Sequence, residues 1–184
     1  MVNFSRTAPA SPASQLDTAV TAAECRSTWR NTGRAPTTVR ARRTSLEAHA
    51  RELHVADRIR WHGALPHDAL PPFYQRAAAL VVPSIDEGLG LVAVEGQICA
   101  TPVIAANSGG LGDIVRNGQT GVLVPPLDAP ALASAIDDIL ANPDRAHELG
   151  AAGRVHALAS FAPESAARRY AMLYRSTLEH AKKS

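Results

Sequence analysis

The sequence is poor in aromatic residues, in cysteine and in long apolar runs. Phenylalanine, tryptophan and tyrosine make up 4% of the 184 residues, whereas apolar residues make up 46%. The core must therefore be built mainly from small aliphatic side chains. The two cysteines, Cys25 and Cys99, form neither a disulfide framework nor a zinc-binding spacing. No apolar run approaches the length that crosses a bilayer and no hydrophobic signal segment opens the chain, so we expect a cytoplasmic protein.

Charge is distributed unevenly along the chain. Residues 1–43 contain seven arginines and two acidic residues, whereas residues 44–184 contain 12 basic and 15 acidic residues. The larger part is therefore mildly acidic, which argues against a nucleic-acid-binding protein. The basic segment is compatible with peripheral contact to an anionic membrane, and also with disorder that has no function.

The change of pattern at Thr44 predicts a domain boundary. Residues 1–43 are rich in Ala, Ser, Pro, Thr and Arg and lack apolar periodicity, so we predict a disordered basic segment with at most a weak helix over residues 16–23. Thr44-x-x-Glu47 has the spacing of a capping box, which predicts a helix that starts there and ends near His54. Residues 44–184 are therefore predicted to form the folded domain.

Residues 79–106 are typical of a strand, a glycine-containing turn, a helix and a second strand. Short continuous apolar runs at Ala79–Val82 and Val103–Ala105 predict strands that are buried on both faces. The helix between them is predicted from Leu91 to Cys99. This alternation favours an α/β fold, a Rossmann-like parallel sheet flanked by helices. A helix that follows such a strand directs its first N–H groups at the ligand-binding edge of the sheet, where they favour a phosphate.

Two carboxylates flank the glycine turn. Glu87 precedes Gly88 and Gly90, and Glu95 lies about one turn into the helix. A carboxylate can accept both O–H groups of a vicinal diol, so a phosphate cradle between two carboxylates suits a nucleotide sugar. The alternative is that Glu87 caps the helix and Glu95 is a solvated helix residue, because a glycine turn alone is a weak signal.

Further elements are predicted on the C-terminal side of this region. Residues 107–110 form a glycine turn that should face the same sheet edge as Glu87. Asp128 is predicted to cap a helix over Ala129–Ala141. Asn142 and Pro143 are predicted to open a further helix, and a final helix is predicted over residues 163–182.

The segment PSIDEGLGLVAVEGQICATPVIAANSGGLGDIV, residues 83–115, resembles the signature of the retaining GT-B glycosyltransferases called family 4, or glycosyl transferases group 1. The shared features are a Pro-Ser pair, a Glu-x7-Glu motif around a Gly-x-Gly-Leu turn, a Pro-Val-Ile strand and a Gly-Gly turn. Leu89, Ala100 and Asp113 stand where the family usually has an aromatic residue, a glycine and a glutamate. All three departures are mild.

The resemblance implies specific roles around the turn. Glu87 would be the catalytic residue that contacts the hexose hydroxyls, and Glu95 would bind the ribose of the donor. The remaining donor-binding residues would hold the phosphates through backbone N–H groups; they are Gly88, Leu89, Gly90, Leu91 and Val92. The expected donor is a UDP-, GDP- or ADP-hexose, the hexosyl group is transferred with retention, and neither a metal nor a cofactor is expected. Tyr74 matches a position that the family uses for packing. We expect His67 to be a loop residue.

The resemblance covers residues 44–180, which correspond to most of the C-terminal, donor-binding domain of such an enzyme. The acceptor-binding domain and the first βαβ unit of the donor domain have no counterpart here. Residues 59–62 alternate in polarity and stop at Gly63, which predicts a further strand. In the family order 3-2-1-4-5-6, this strand would lack a neighbour unless part of residues 1–43 fills the gap. Three main possibilities therefore stay open: a glycosyltransferase, an inactive donor-binding remnant, and a fragment that completes a site with a separate acceptor-domain chain. A different GT-B reaction, such as epimerisation of a nucleotide sugar, is a more distant fourth.

Overall fold

A computed structural model defines residues 2–4, 19–22, 37–85 and 87–181. The strands in the described residues are β1 (Val2–Phe4), β2 (Ala19–Ala22), β3 (Ile59–Trp61), β4 (Ala77–Val82), β5 (Val103–Ala106) and β6 (Val122–Val124). The helices are α1 (Thr37–Glu52), α2 (Pro71–Arg76), α3 (Leu91–Ile98), α4 (Leu111–Ile114), α5 (Ala129–Ala141), α6 (Pro143–Phe161) and α7 (Pro163–Ala181). Two 3₁₀ turns precede β3 and α2, at Ala56–Arg58 and His67–Ala69.

The six strands form one sheet in the order β3-β1-β2-β4-β5-β6. The pairs β2–β4, β4–β5 and β5–β6 are parallel, whereas β1 is antiparallel to both β2 and β3. Every strand except β1 therefore points the same way. The predicted α/β fold, a parallel sheet flanked by helices, is confirmed with this single reversal.

Strands β1 and β2 occupy the gap that the sequence left between β3 and the rest of the sheet. Val2 lies opposite Trp61 on one side and Ala22 on the other, and Val20 lies opposite Ala79. The alternative in which part of residues 1–43 replaces the missing strands is thus the arrangement observed. Residues 19–22 are a strand and not part of a weak helix, because pairing on both sides outweighs the weak helical preference of this short segment.

Helix α1 begins at Thr37, seven residues before the predicted start. Thr44 lies inside the helix, so the predicted capping box at that residue is wrong. The Nε of Arg43 instead donates to Oε1 of Glu47 at 2.7 Å, an i,i+4 pair within α1. Residues 5–18 and 23–36, and Cys25 among them, lie outside the described residues, so their expected disorder stays a prediction.

The core has two layers, one on each face of the sheet. Leu80 and Val82 of β4 face α2, α3 and α4, whereas Ala79 and Val81 face α5. Strand β5 alternates in the same way, with Val103 and Ala105 on the first face and Ile104 on the second; all of these side chains are buried. The continuous apolar runs therefore mark strands covered on both sides, as predicted.

Helix α7 packs on α6 and leaves most of its length uncovered. Four of its apolar side chains are between 59% and 66% exposed: Tyr170, Leu173, Tyr174 and Leu178. These residues recur at spacings of three and four and so share one side of the helix. None of the described helices is both long enough and apolar enough to cross a bilayer.

Candidate functional site

The candidate site lies at the carboxyl edge of the sheet, where the chain passes from β4 into α3. Gly90 is the N-cap of α3 in the left-handed conformation, with φ 60° and ψ 37°. A Cβ atom there would lie 2.8 Å from Cδ2 of Leu111, so both the backbone angle and the space favour glycine. The amide of Ala93 donates to the Gly90 carbonyl at 2.8 Å. The amides of Leu91 and Val92 precede that first bonded amide and face the edge of the sheet.

The glycine turn after β5 packs directly on the Glu87 loop. The amide of Gly110 donates to the Glu87 carbonyl at 2.8 Å. Gly109 has φ +54°, and a Cβ atom on it would run into the backbone of Glu87. A Cβ atom on Gly110 would lie 2.5 Å from the Gly88 carbonyl oxygen. The structure therefore brings together the two loops that the sequence placed at one edge, and two glycines permit their contact.

The tip of the loop is open to solvent. Leu89 and Leu91 are 62% and 59% exposed, and a Cβ atom on Gly88 would meet no other atom within 4 Å. Glu87 is partly buried, whereas Val92 packs against the core. The exposed members of the predicted donor-binding set are therefore Gly88, Leu89 and Leu91, whereas Gly90 is buried and Val92 faces inward.

Glu95 lies between two side chains that sequence reasoning did not connect with it. The hydroxyl of Tyr74 donates to Oε2 of Glu95 at 2.8 Å, and Nδ1 of His67 lies 3.7 Å from Oε1. The side chain of Glu95 is 24% exposed, so it is not the freely solvated residue of the alternative interpretation. Tyr74 is 2% exposed, and a buried tyrosine hydroxyl usually needs a partner. The need of this hydroxyl for a partner is the one signal that could have pointed to the Tyr74–Glu95 pair.

Helix α3 is held to the body of the domain by a buried polar contact. Nε2 of Gln97 donates at 3.1 Å to both the carbonyl and the Oγ1 of Thr120, which itself accepts from the Arg116 amide at 2.9 Å. Gln97 and Thr120 are both buried. These bonds fix α3 relative to the loop before β6, and so fix the direction of its amino end.

Cys99 lies just after α3 and is partly buried against the core. Burial raises the pKa of its thiol; the nearby Arg154 opposes this shift and the carboxylate of Glu95 adds to it. Arg154 also donates to the Ile98 carbonyl at the end of α3. A thiol with a raised pKa is a poor nucleophile at neutral pH, which fits Cys99 as a packing residue.

No set of three or more metal-binding side chains comes together in the described ranges. The expectation that neither a metal nor a cofactor is needed stays a prediction. A separate cavity of about 250 Å³ lies under α5, lined in part by Val122, Ser134, Asp138 and Arg145. Val122 is the first residue of β6, so this cavity lies toward the amino edge of the sheet, away from Glu87 and α3.

A mainly parallel sheet with a glycine turn and a helix amino end at its carboxyl edge defines a Rossmann-like α/β domain. The family model described as glycosyl transferases group 1 matches residues 40–156. The chain belongs to this family, as the sequence motifs predicted.

Several relatives carry the name D-inositol 3-phosphate glycosyltransferase. The protein from Thermobispora bispora is 42% identical over 139 residues, which are 76% of this chain and 32% of that protein. The protein from Streptomyces coelicolor is 38% identical over 139 residues, 76% of this chain and 30% of that protein. The present chain therefore spans about a third of the length of these relatives.

Solved structures give the same assignment of the fold. Sucrose-phosphate synthase from Thermosynechococcus elongatus has a TM-score of 0.69 and 43% identity, over 76% of this chain and 35% of that one. The Anabaena protein HepE in complex with UDP has a TM-score of 0.72 over 77% of this chain and 39% of that one, and is 22% identical. At that identity, the second likeness concerns the fold alone.

Proposed function

We propose that this chain forms the donor half of a hexosyl transfer site. It binds a nucleoside diphosphate hexose at the carboxyl edge of the sheet, for transfer of the hexosyl group with retention. The observation that carries the proposal is the meeting of the Glu87 loop, the amino end of α3 and the Gly109–Gly110 turn at this edge, in a chain of a glycosyltransferase family.

Each part of the donor has a chemically suitable partner. The backbone N–H groups of residues 88–92 and the dipole of α3 attract the diphosphate. Glu87, at the start of the loop, accepts hydrogen bonds from hexose hydroxyls and so places the anomeric carbon. Glu95, within α3, accepts the two ribose hydroxyls, because an ionised carboxylate has four lone-pair sites for O–H donors.

The donor is a UDP-, GDP- or ADP-hexose. Several neighbours of the same fold are complexes with UDP, UDP and glucose, or UDP-glucose, which makes UDP the first ligand to test. These neighbours are 21% to 22% identical to this chain, so the choice among the three bases is left to measurement.

A second candidate function is donor binding without turnover. The described residues form one sheet, and all the groups proposed to bind the donor lie at its carboxyl edge. Positioning of an acceptor can lower a reaction barrier by roughly 7–11 kcal/mol, and this term requires a second wall for the site. In a third candidate function, a separate acceptor-domain chain supplies that wall, is the macromolecular partner and restores transfer.

Calorimetric titration with UDP, GDP and ADP tests donor binding. Glu95→Ala should weaken binding of the preferred nucleotide by about 10- to 100-fold, because charge-assisted hydrogen bonds contribute roughly 1.5–3 kcal/mol. Glu179→Ala, which removes an exposed glutamate of α7, is the matched control and should leave the dissociation constant unchanged. Equal affinity of the wild-type and Glu95→Ala chains would remove Glu95 from the site.

Incubation of the wild-type chain and a Glu87→Gln variant with the matching nucleotide hexose and a panel of acceptors separates transfer from binding without turnover. Glycoside formation that depends on Glu87 supports hexosyl transfer by this chain. Tight donor binding with only slow donor hydrolysis supports the binding function.

A further inference from the structure

Tyr74 and Glu95 form a contact between α2 and α3 that none of the roles above uses. The tyrosine hydroxyl donates to Oε2 of the glutamate at 2.8 Å, across 21 positions of sequence. Tyr74 is almost fully buried, whereas the side chain of Glu95 is 24% exposed. A buried donor therefore holds a carboxylate that reaches the surface.

The tyrosine itself is fixed at its backbone as well as at its ring. Its carbonyl accepts from Oγ1 of the buried Thr101 at 2.7 Å, and its amide donates to the Leu70 carbonyl at 3.2 Å. Its ring belongs to the core cluster that also contains Leu80 and Val103. Since these contacts leave the ring little freedom, the position of the hydroxyl determines the position of Oε2.

A bound carboxylate differs from a free one in how it accepts a diol. A glutamate side chain on a helix surface samples several rotamers, and ordering such a flexible side chain on binding costs free energy. The bond from Tyr74 uses one of the lone pairs of Oε2 and settles the orientation before a ligand arrives. The other lone pairs of the carboxylate remain for a ligand, and Nδ1 of His67 lies 3.7 Å from Oε1.

We propose that Tyr74 is a positioning residue for nucleotide binding: it holds the Glu95 carboxylate in the orientation that accepts the 2′- and 3′-hydroxyls of a ribose. The inference rests on the proposed function of Glu95. The competing interpretation is that Tyr74 contributes to packing alone, which its burial in the core would also explain.

The test uses Tyr74→Phe, which removes the hydroxyl and keeps the ring. Binding is measured by calorimetry with the nucleotide that binds most tightly among UDP, GDP and ADP. It is then measured with the 2′,3′-dideoxy form of the same nucleotide. Tyr74→Phe should weaken binding of the ribonucleotide by about 3- to 10-fold, the range of one hydrogen bond, and should leave binding of the dideoxy form unchanged. Tyr170→Phe, which alters an exposed tyrosine of α7, is the control.

Two comparisons distinguish positioning from packing. In a chain that already carries Glu95→Ala, adding Tyr74→Phe should cause no further loss of affinity. An equal loss for the ribonucleotide and the dideoxy form, or an additive loss in the double variant, would overturn the inference in favour of packing. Unchanged ribonucleotide binding by Tyr74→Phe, with Glu95→Ala still weak, would overturn the inference and leave the proposed function intact. Failure of the wild-type chain to bind any of the three nucleotides would overturn both.

Discussion

At the scale of single residues, His156 links the stability of the fold to pH. Its ring is partly buried beside Phe161, with ring centroids 5.9 Å apart, and Oγ of Ser160 lies 3.4 Å from Nδ1. Burial lowers the pKa of His156, and the positive charge of Arg116 lowers it further. The folded chain therefore resists protonation of a side chain that titrates near 6.5 when unfolded.

Stability should fall as the pH drops below about 6.5, because the unfolded chain then binds a proton that the folded chain binds only at lower pH. The slope from this one group is at most about 1.4 kcal/mol per pH unit. Urea unfolding at several pH values between 5 and 8 measures the effect, and His156→Gln should flatten the curve. His147→Gln, at an exposed position of the same helix, should not. Identical pH slopes for the wild-type and His156→Gln chains would refute the prediction.

Residue types in order along the chain predicted the place of the site, but not the contacts within it. Glu87, Gly90 and Glu95 lie at the carboxyl edge of β4 because a strand, a turn and a helix follow one another in sequence. The bond from Tyr74 to Glu95 could not be derived in this way, since it depends on how α2 packs against α3. The sequence predicted that the Gly109–Gly110 turn and Glu87 lie at the same edge of the sheet, but not that Gly110 bonds to Glu87. The position of one loop relative to another is set by tertiary packing.

At the scale of elements, α5 and α6 begin with two similar sequence signals that do different physical work. Oδ1 of Asp128 accepts from the Ala131 amide at 2.9 Å, a true N-cap bond for α5. Asn142, at the same position before α6, makes no cap bond; its Nδ2 donates backward to the Asp138 carbonyl at 2.8 Å. Asp128 and Asn142 therefore occupy equivalent positions, and only Asp128 caps its helix.

Asp128→Ala should lower the free energy of unfolding by about 0.5–2 kcal/mol, the usual contribution of a side-chain cap. Asn142→Ala should cost less, because the amide that a cap would bind already lacks that partner in the wild-type chain. Chemical denaturation of the two variants and the wild type gives the comparison. A larger loss for Asn142→Ala than for Asp128→Ala would contradict the role assigned to the Asp128 carboxylate.

The accuracy of the predicted elements follows the strength of local signals. Helix α5 was predicted with its observed bounds, because Asp128 marks its start and a regular apolar face follows. The start of helix α1 was predicted seven residues too late, since the arginines and threonines of residues 37–43 form no apolar face and a capping pattern at Thr44 looked stronger. Local capping patterns compete with continuation of a helix, and here continuation prevailed.

At the scale of the whole molecule, the sheet depends on two strands from the basic segment. Strand β2 is paired on both sides, to β1 and to β4. Thr21→Pro removes a backbone N–H and fixes φ within this paired strand, and should therefore lower the melting temperature markedly. Thr21→Val keeps the N–H and has a high strand preference, so it should leave the melting temperature near that of the wild type.

Equal melting temperatures for Thr21→Pro and Thr21→Val would show that the domain is stable without β2. That result would restore the interpretation in which residues 1–43 form a dispensable segment. The sequence alone could not decide this, because short strands such as Ala19–Ala22 have neither the apolar run of β4 nor a turn signal. These strands form because β3 and β4 both offer unpaired backbone groups at the positions that β1 and β2 occupy.

The sheet order also has a consequence for synthesis on the ribosome. Strands β1 and β2 leave the ribosome first, yet β3 and β4, their other partners, follow only after residues 58 and 76. At roughly 5–20 residues per second, the delay before β4 emerges is on the order of several seconds. A pair of antiparallel strands is marginally stable alone, and its open edges can pair with other chains. During that interval the outer edges of β1 and β2 have no partner strand. Their backbone groups are paired only when β3 and β4 of the same polypeptide have emerged.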